Sequence, residues 1–121
     1  MIARHWKGVA KREDTERYIH HLRTDTFPQL GRIEGFIDAS ILKRAVDQGV
    51  EFLIVTRWKS IDAIKQFAGE SPAAAVVPPV VHAMMVEYDP FVTHYEIDTG
   101  DAPREITLST WLPGGIGRIV E

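Results

Sequence analysis

The sequence predicts one α+β domain with the element order β-α-β-β-α-β and an antiparallel sheet. Residues 50–58 are a nearly continuous apolar stretch rich in β-branched and aromatic side chains, which is typical of a central strand. Residues 13–31 and 60–69 carry apolar side chains every three to four positions, which is typical of helices. With 121 residues, the chain is long enough for one such domain and too short for two.

The first strand and the first helix are predicted from the N-terminal quarter of the chain. Residues 2–9 form a strand in which Trp6 points into the core. The helix covers 13–31, and acidic residues occupy its first turn, where the helix dipole stabilises them. Pro28 is expected to kink or restart this helix because proline disfavours α geometry in the residue before it. Gly31 is a suitable stop.

A hairpin and a second helix follow. The strands are predicted at 36–46 and 50–58, joined by a turn in which Gly49 can take a positive φ. Ser60 is a good N-cap for the second helix, which we expect to end at Gly69.

The rest of the chain is punctuated by prolines. Because of its prolines, the segment 72–77 has room for at most a short helical turn. A strand is predicted at about 83–96, bent or lying at an edge where Pro90 cannot donate a hydrogen bond. After a linker at 98–103, one more strand is predicted at about 104–112.

This element order is that of a ferredoxin-like fold, with the first and third strands in the centre and both helices on one face of the sheet. In the third strand, Leu53 and Val55 point away from the face that carries Phe52 and Ile54. The second face of the sheet is therefore also apolar, and leaving it in water is unfavourable. A second copy of the chain is the simplest cover, so we expect a homodimer.

Composition excludes several classes of function. The net charge of −3, from 14 basic and 17 acidic residues, offers no basic footprint for nucleic acid. The absence of cysteine excludes disulfides, thiolate nucleophiles and iron–sulfur clusters. No segment resembles a signal peptide or a membrane span, so we expect a cytoplasmic protein with no membrane or nucleic-acid partner.

One motif in the chain is a strand that ends in tryptophan, followed by a serine cap and a helix with an apolar face and a phenylalanine. This motif and its surroundings occupy residues 35–36, 51–58, 60–69, 75–79 and 92–96. Together these segments resemble the antibiotic biosynthesis monooxygenase superfamily, whose members are dimeric α/β-barrel proteins and in which the motif recurs. The resemblance implies a ferredoxin-fold domain at 1–97 and leaves 98–121 as a C-terminal extension with one strand.

The resemblance also implies an activity, which is oxygenation without a cofactor. In such enzymes the enolate or phenolate of an electron-rich aromatic substrate activates oxygen, and the protein supplies an apolar pocket that holds the anion and excludes water. We expect such a pocket between the sheet and the helices. The expected substrate-binding residues are Trp6, Tyr18, Trp58, Phe67, His82 and Tyr88.

Two histidines are candidates for a functional role. His21 lies on the first helix beside the apolar stripe of Tyr18 and Leu22, and we take it as the candidate catalytic residue. His94 follows the bend at Pro90, where the last strand of this fold often reaches the partner subunit. His94 is therefore a candidate interface residue or functional residue.

Two further hypotheses concern a bound haem or metal ion. The haem-degrading members of the superfamily use an asparagine, a tryptophan and a histidine, whereas this chain has no asparagine, carries Phe67 at the tryptophan position and has 76–78 where the histidine falls. His94 and Glu96 share a strand face, and with His5 on a neighbouring strand they could bind iron. We predict neither a metal nor a cofactor.

A non-catalytic role is the alternative to oxygenation. The chain contains no nucleophile elbow, no phosphate-binding loop and no dinucleotide fingerprint. The same pocket could hold a small apolar metabolite without converting it, which would make the protein a dimeric ligand-binding or stress-response module.

Overall fold

The computed structural model describes residues 1–98 and confirms the predicted α+β class. The predicted strand at 104–112 and the extension at 98–121 lie outside the described residues, apart from Asp98. The strands are β1 (Ile2–Ala10), β2 (Phe36–Val46), β3 (Gly49–Trp58), β4 (Met85–Tyr88) and β5 (Thr93–Glu96). The helices are α1 (Thr15–His21), α2 (Phe27–Leu30), α3 (Ile61–Ala68) and α4 (Pro79–His82).

The sheet is antiparallel, with β2, β3, β1 and β4 side by side in that order and β5 also paired with β1. The strand predicted at 83–96 is therefore two strands. β4 pairs with the end of β1 around Gly8, and β5 pairs with its beginning around Arg4. The interruption contains Pro90, which has no N–H to donate. Its carbonyl oxygen instead accepts a hydrogen bond from Ala75 N, at 2.9 Å.

The first helical region is a chain of four short segments rather than one helix. A 3₁₀ turn at Arg12–Asp14 leads into α1, a π-helical turn at Leu22–Thr26 follows, and α2 completes the region. The helix restarts at Phe27, as expected next to Pro28, although Phe27 itself keeps α geometry with φ −65° and ψ −39°. Pro28 lies in the first turn of α2, where a missing N–H is tolerated.

Gly49 does not take the positive φ predicted for it in the hairpin turn. The glycines with positive φ among the described residues are Gly35 and Gly69. Gly49 is needed for a different reason: a Cβ atom there would lie 2.1 Å from the carbonyl oxygen of Ala10. The strand therefore requires glycine because β1 approaches β3 closely at this point.

The second helix begins and ends as predicted. The Ser60 hydroxyl oxygen accepts a hydrogen bond from Ala63 N, at 3.2 Å, and Gly69 ends α3 with a φ of 79°. Residues 72–77 form no helix. The helical turn instead forms at α4, where Pro79 occupies the first turn and Val81 is buried against the core.

Two hydrophobic clusters lie on the helix-facing side of the sheet. The first is centred on Phe52 and Tyr18, and the second on Trp58 and Ile64. Between them a gap remains that side chains do not fill. Among residues 1–98, no helix is long and apolar enough to cross a membrane.

Candidate functional site

The gap between the two clusters is a cavity of ≈ 570 Å³, including the space at its open mouth. Its floor is the helix-facing side of β1 and β3. Its walls are the first helical region and the proline-rich segment 76–78. Apart from three polar side chains, its lining is aliphatic or aromatic, with Trp6, Tyr18, Phe27 and Phe67 as the aromatic members. The lining is that of a pocket for a small apolar molecule.

The aromatic wall is held in place by local contacts. The Trp6 and Tyr18 ring centroids are 6.3 Å apart, and Tyr18 meets Phe52 edge-on at 4.9 Å. Trp6 Nε1 donates a hydrogen bond to the carbonyl oxygen of Asp89, at 2.9 Å. The indole lies beside Gly8, where a Cβ atom would come within 2.7 Å of the ring. The position of Trp6 therefore depends on the small residue two places along the same strand.

One polar row crosses the floor of the cavity at its far end. His94 on β5 and Thr56 on β3 lie directly opposite Arg4 on β1, on either side of it. Directly opposite residues in antiparallel strands share a face, so all three side chains belong to the helix-facing side. Arg4 and Thr56 line the cavity, and the remaining polar lining residue, Thr26, belongs to the π-helical turn.

Arg4 is buried, with 5% of its surface exposed. Its guanidinium donates hydrogen bonds to the carbonyl oxygens of Pro72 and Ala74, and lies 5.7 Å from the centre of the Phe67 ring. Within residues 1–98, no carboxylate oxygen lies within 4 Å of it. Burial lowers the pKa of Arg4 to about 10, which still leaves it positively charged at neutral pH.

His94 and Tyr18 are shifted towards their neutral forms. Burial, and then the charge of Arg4, lower the pKa of His94 from its ordinary value of 6.5. Its Nε2 atom lies 3.3 Å from Arg4 Nη1, so the neutral ring can accept a hydrogen bond there. Burial raises the pKa of Tyr18, which stays a protonated phenol. Neither side chain adds a negative charge to the site.

Three of the residues expected to bind substrate line the cavity together: Trp6, Tyr18 and Phe67. Trp58 lies behind the lining. It is fully buried in the second cluster, stacks on Phe67 at 6.3 Å, and donates from Nε1 to Thr56 Oγ1 at 2.8 Å. Trp58 thus supports two lining residues without lining the cavity itself.

His82 and Tyr88 lie outside the cavity lining. Their rings meet edge-on at 5.3 Å, and His82 is exposed. Tyr88 lies next to Trp6, with ring centroids 6.0 Å apart, so it contacts the site only through that indole.

His21 lines a second, shallow depression with Glu16, Arg17, His20 and Met84 among its neighbours. Its Nε2 atom is buried, has no hydrogen-bond partner in the described part of the chain, and lies 3.7 Å from an oxygen of Asp25. The candidate catalytic histidine is therefore separate from the aromatic lining.

The structure does not gather the residues of the metal hypothesis. His94 shares the helix-facing side with Arg4, whereas His5 lies opposite Thr93 on the other side of the sheet and packs on Tyr95 at 4.9 Å. Across residues 1–98 no group of three histidine or acidic side chains could hold a metal ion.

Arg4 and Thr56 were not among the site residues predicted from the sequence. A signal for Arg4 was present, because strand alternation puts it on the same face as Ile2 and Trp6, and a charged residue on an inward face is unusual. Thr56 carried no comparable signal, since threonine is common in strands.

No protein-family model matches the sequence, and no curated protein matches it. Solved structures do resemble it. A protein from Bacillus cereus described as a candidate antibiotic biosynthesis monooxygenase matches with a TM-score of 0.57 and 20% identity, over 84% of this chain and 94% of that chain. A protein of the same description from Deinococcus radiodurans gives 0.56 and 15%, over 84% and 97%.

A monooxygenase from Streptomyces coelicolor, solved in complex with the ligand nanaomycin D, matches with a TM-score of 0.56 and 13% identity, over 84% of this chain and 91% of that chain. At these identities the likeness concerns the fold. The resemblance inferred from the sequence is confirmed at that level: this chain has the ferredoxin-like fold of the antibiotic biosynthesis monooxygenases.

Proposed function

We propose that this protein is a cofactor-independent monooxygenase that takes up a small aromatic substrate in the cavity between the sheet and the helices. The observation that carries this proposal is the cavity lining, which combines Trp6, Tyr18 and Phe67 with a single buried cation, Arg4. Flat aromatic walls suit a planar ring system, and a cation at one end suits an oxygen that becomes negatively charged.

The chemistry needs little from the protein beyond binding and shielding. The electrons come from the substrate: when a ring CH₂ group becomes a carbonyl, one oxygen atom of O₂ enters the product and the other leaves as water with the two hydrogens. Closing the apolar cavity around the substrate excludes bulk water and strengthens the attraction between Arg4 and the substrate oxygen.

A non-catalytic binding role is the second candidate, and a specific observation favours it. The lining residues include no carboxylate and no histidine, and Tyr18 is held protonated. A substrate that reaches the cavity as the neutral acid would therefore meet no general base in the lining. His21, the proposed catalytic residue, would have to act from the neighbouring depression.

Oxygen uptake with a panel of polycyclic phenols separates the two candidates. We expect at least one phenol to stimulate oxygen consumption by the full-length protein. In that assay Phe67→Ala should raise KM about tenfold, because the ring supplies about 1–3 kcal/mol of apolar contact. Phe91→Ala is the matched control, since Phe91 is 66% exposed and lies outside the lining.

His21→Ala tests the proposed catalytic role of that histidine in the same assay. A fall in kcat with unchanged KM would support it. Tight binding of a phenol without any oxygen uptake would instead identify the protein as a binding module and contradict the oxygenase proposal.

A further inference from the structure

We propose, building on the proposed function, that His94, Arg4 and Thr56 form an anion-binding subsite, and that the ligand of the cavity carries an ionised carboxylate or phenolate oxygen that pairs with Arg4. Arg4 then decides which ring systems the cavity accepts, because a neutral molecule of the same shape leaves its charge unmatched.

The first support is the electrostatic situation of Arg4. Arg4 is buried, and a guanidinium taken out of water loses hydration free energy unless an opposite charge replaces it. In residues 1–98 its hydrogen-bond acceptors are two backbone carbonyls, of Pro72 and Ala74, and the neutral ring of His94. These dipoles offset part of the loss, and a bound anion would supply the missing charge.

The second support is the count of donors. Arginine has five N–H bonds. Nη1 donates to the Pro72 carbonyl oxygen and faces His94 Nε2, and Nη2 donates to Ala74 O at 3.0 Å. The Nε–H and the second N–H of Nη2 have no acceptor within the described residues. In a guanidinium, Nε–H and one N–H of a terminal nitrogen share an edge, and this fork can receive both oxygens of a carboxylate.

The third support comes from Thr56, which lies on the other side of Arg4 from His94. Thr56 Oγ1 already accepts a hydrogen bond from Trp58 Nε1, so its own hydrogen is available to donate. Thr56 lies directly opposite Arg4 on the neighbouring strand and lines the same cavity. An anion at this end of the cavity would therefore meet a charged donor and a neutral donor together.

Paired probes of equal shape test the charge preference on the folded wild-type protein. Binding of 2-naphthoate and of its uncharged counterpart 2-naphthamide is measured by calorimetry at neutral pH. We expect naphthoate to bind at least about tenfold more tightly, as one charge-assisted pair in a desolvated site provides.

Variants then assign that preference to Arg4. Arg4→Met should remove the difference between the two probes, and Arg4→Lys should retain part of it. Arg23→Met, at an exposed arginine outside the cavity lining, should retain all of it. If Arg4→Met does not fold, the charge preference is still tested by the wild-type comparison and by Arg4→Lys.

A phenol probe distinguishes the two kinds of oxygen anion. Because ionised 4-nitrophenol absorbs visible light, its capture as phenolate raises that absorbance at constant pH. A rise in wild type that is lost in Arg4→Met identifies a phenolate site, and tight naphthoate binding without a rise identifies a carboxylate site; either supports the subsite.

Equal affinity for naphthoate and naphthamide, with no rise in phenolate absorbance, would overturn the anion subsite and leave the aromatic cavity standing. Failure of all three probes to bind at about 1 mM would overturn both the subsite and the proposed uptake of small aromatic molecules.

Discussion

At the scale of single residues, Trp58 and Thr56 show how a residue outside the cavity governs one inside it. The Trp58 indole is fully buried, and its N–H has the Thr56 hydroxyl as its partner. A buried donor that is left without an acceptor lowers the stability of the folded protein by about as much as a strong hydrogen bond raises it. The pair is therefore structural, and it also orients the hydroxyl of the proposed anion subsite.

Thr56→Val should lower the free energy of unfolding by about 1–3 kcal/mol, because the valine has the shape of threonine but offers the Trp58 N–H no acceptor. Thr56→Ser keeps the acceptor and should lose less. Urea unfolding of the two variants measures the difference. A smaller loss for valine than for serine would contradict the role of this hydrogen bond.

His94 predicts a pH dependence of stability. Its pKa is lowered in the folded protein, so the unfolded chain binds a proton more readily as pH falls below 6.5. Its contribution to stability is complete above that value and is lost as pH falls towards the folded pKa. When the pH falls from about one unit above 6.5 to about one unit below it, we expect the free energy of unfolding to decrease less in His94→Gln than in the wild type.

Urea unfolding at the two pH values measures this effect, with His82→Gln as the control at an exposed histidine. Equal pH dependence in wild type and His94→Gln would contradict it. Removing the charge in Arg4→Met should also raise the pKa of His94 towards its ordinary value, which an NMR titration would detect.

At the scale of elements, the hairpin β2–β3 and helix α3 were predictable because their signals are local. Alternation, a serine cap and a terminal glycine act within a few residues of where they stand in the chain. The division of 83–96 into two strands and the position of α4 were not predictable. Each depends on which partner strand or core cluster the proline-rich segment meets, and those partners are distant in sequence.

The glycine at the start of β3 gives a test at this scale. Gly49→Ala should destabilise the fold by about 2 kcal/mol or more, because the added Cβ would overlap the Ala10 carbonyl and neither backbone can move freely. Gly31→Ala is the matched control: Gly31 has α geometry and an added Cβ would make ordinary van der Waals contacts, at 3.5 Å, so alanine should be neutral or slightly stabilising. Thermal unfolding compares them, and similar midpoints would contradict the close approach.

At the scale of the whole molecule, the side of the sheet away from the helices carries exposed apolar side chains. On it, Leu42 pairs with Leu53 across the strands, and Leu42 is 48% exposed. Two ion pairs flank these leucines, Asp38 with Arg57 and Arg44 with Glu51. An apolar centre with a charged rim is the arrangement of a protein interface, so we propose that two copies pack through this face.

Leu53→Asp should convert the proposed homodimer to monomer, because it places a charge in the apolar centre of the proposed interface. Sedimentation velocity should then show a mass of 13.7 kDa in place of twice that value. Val80→Asp is the control, since Val80 is an exposed apolar residue that lies on α4 and not on this face. A wild-type chain that sediments as a monomer would contradict the interface.

The sequence by itself determined the class of fold, the order of elements as far as α3 and the two apolar faces of the sheet, because periodicity and capping are properties of neighbouring residues. It also placed Trp6, Tyr18 and Phe67 among the candidates for one pocket. Only the tertiary structure decided that Trp58 lies behind that pocket, that His21 lies beside it, and that Arg4 lies within it. The physical reason is strand register: which side chains stand opposite Arg4 depends on the pairing of β1 with β3 and β5, and these partners lie about fifty and ninety residues away in the chain.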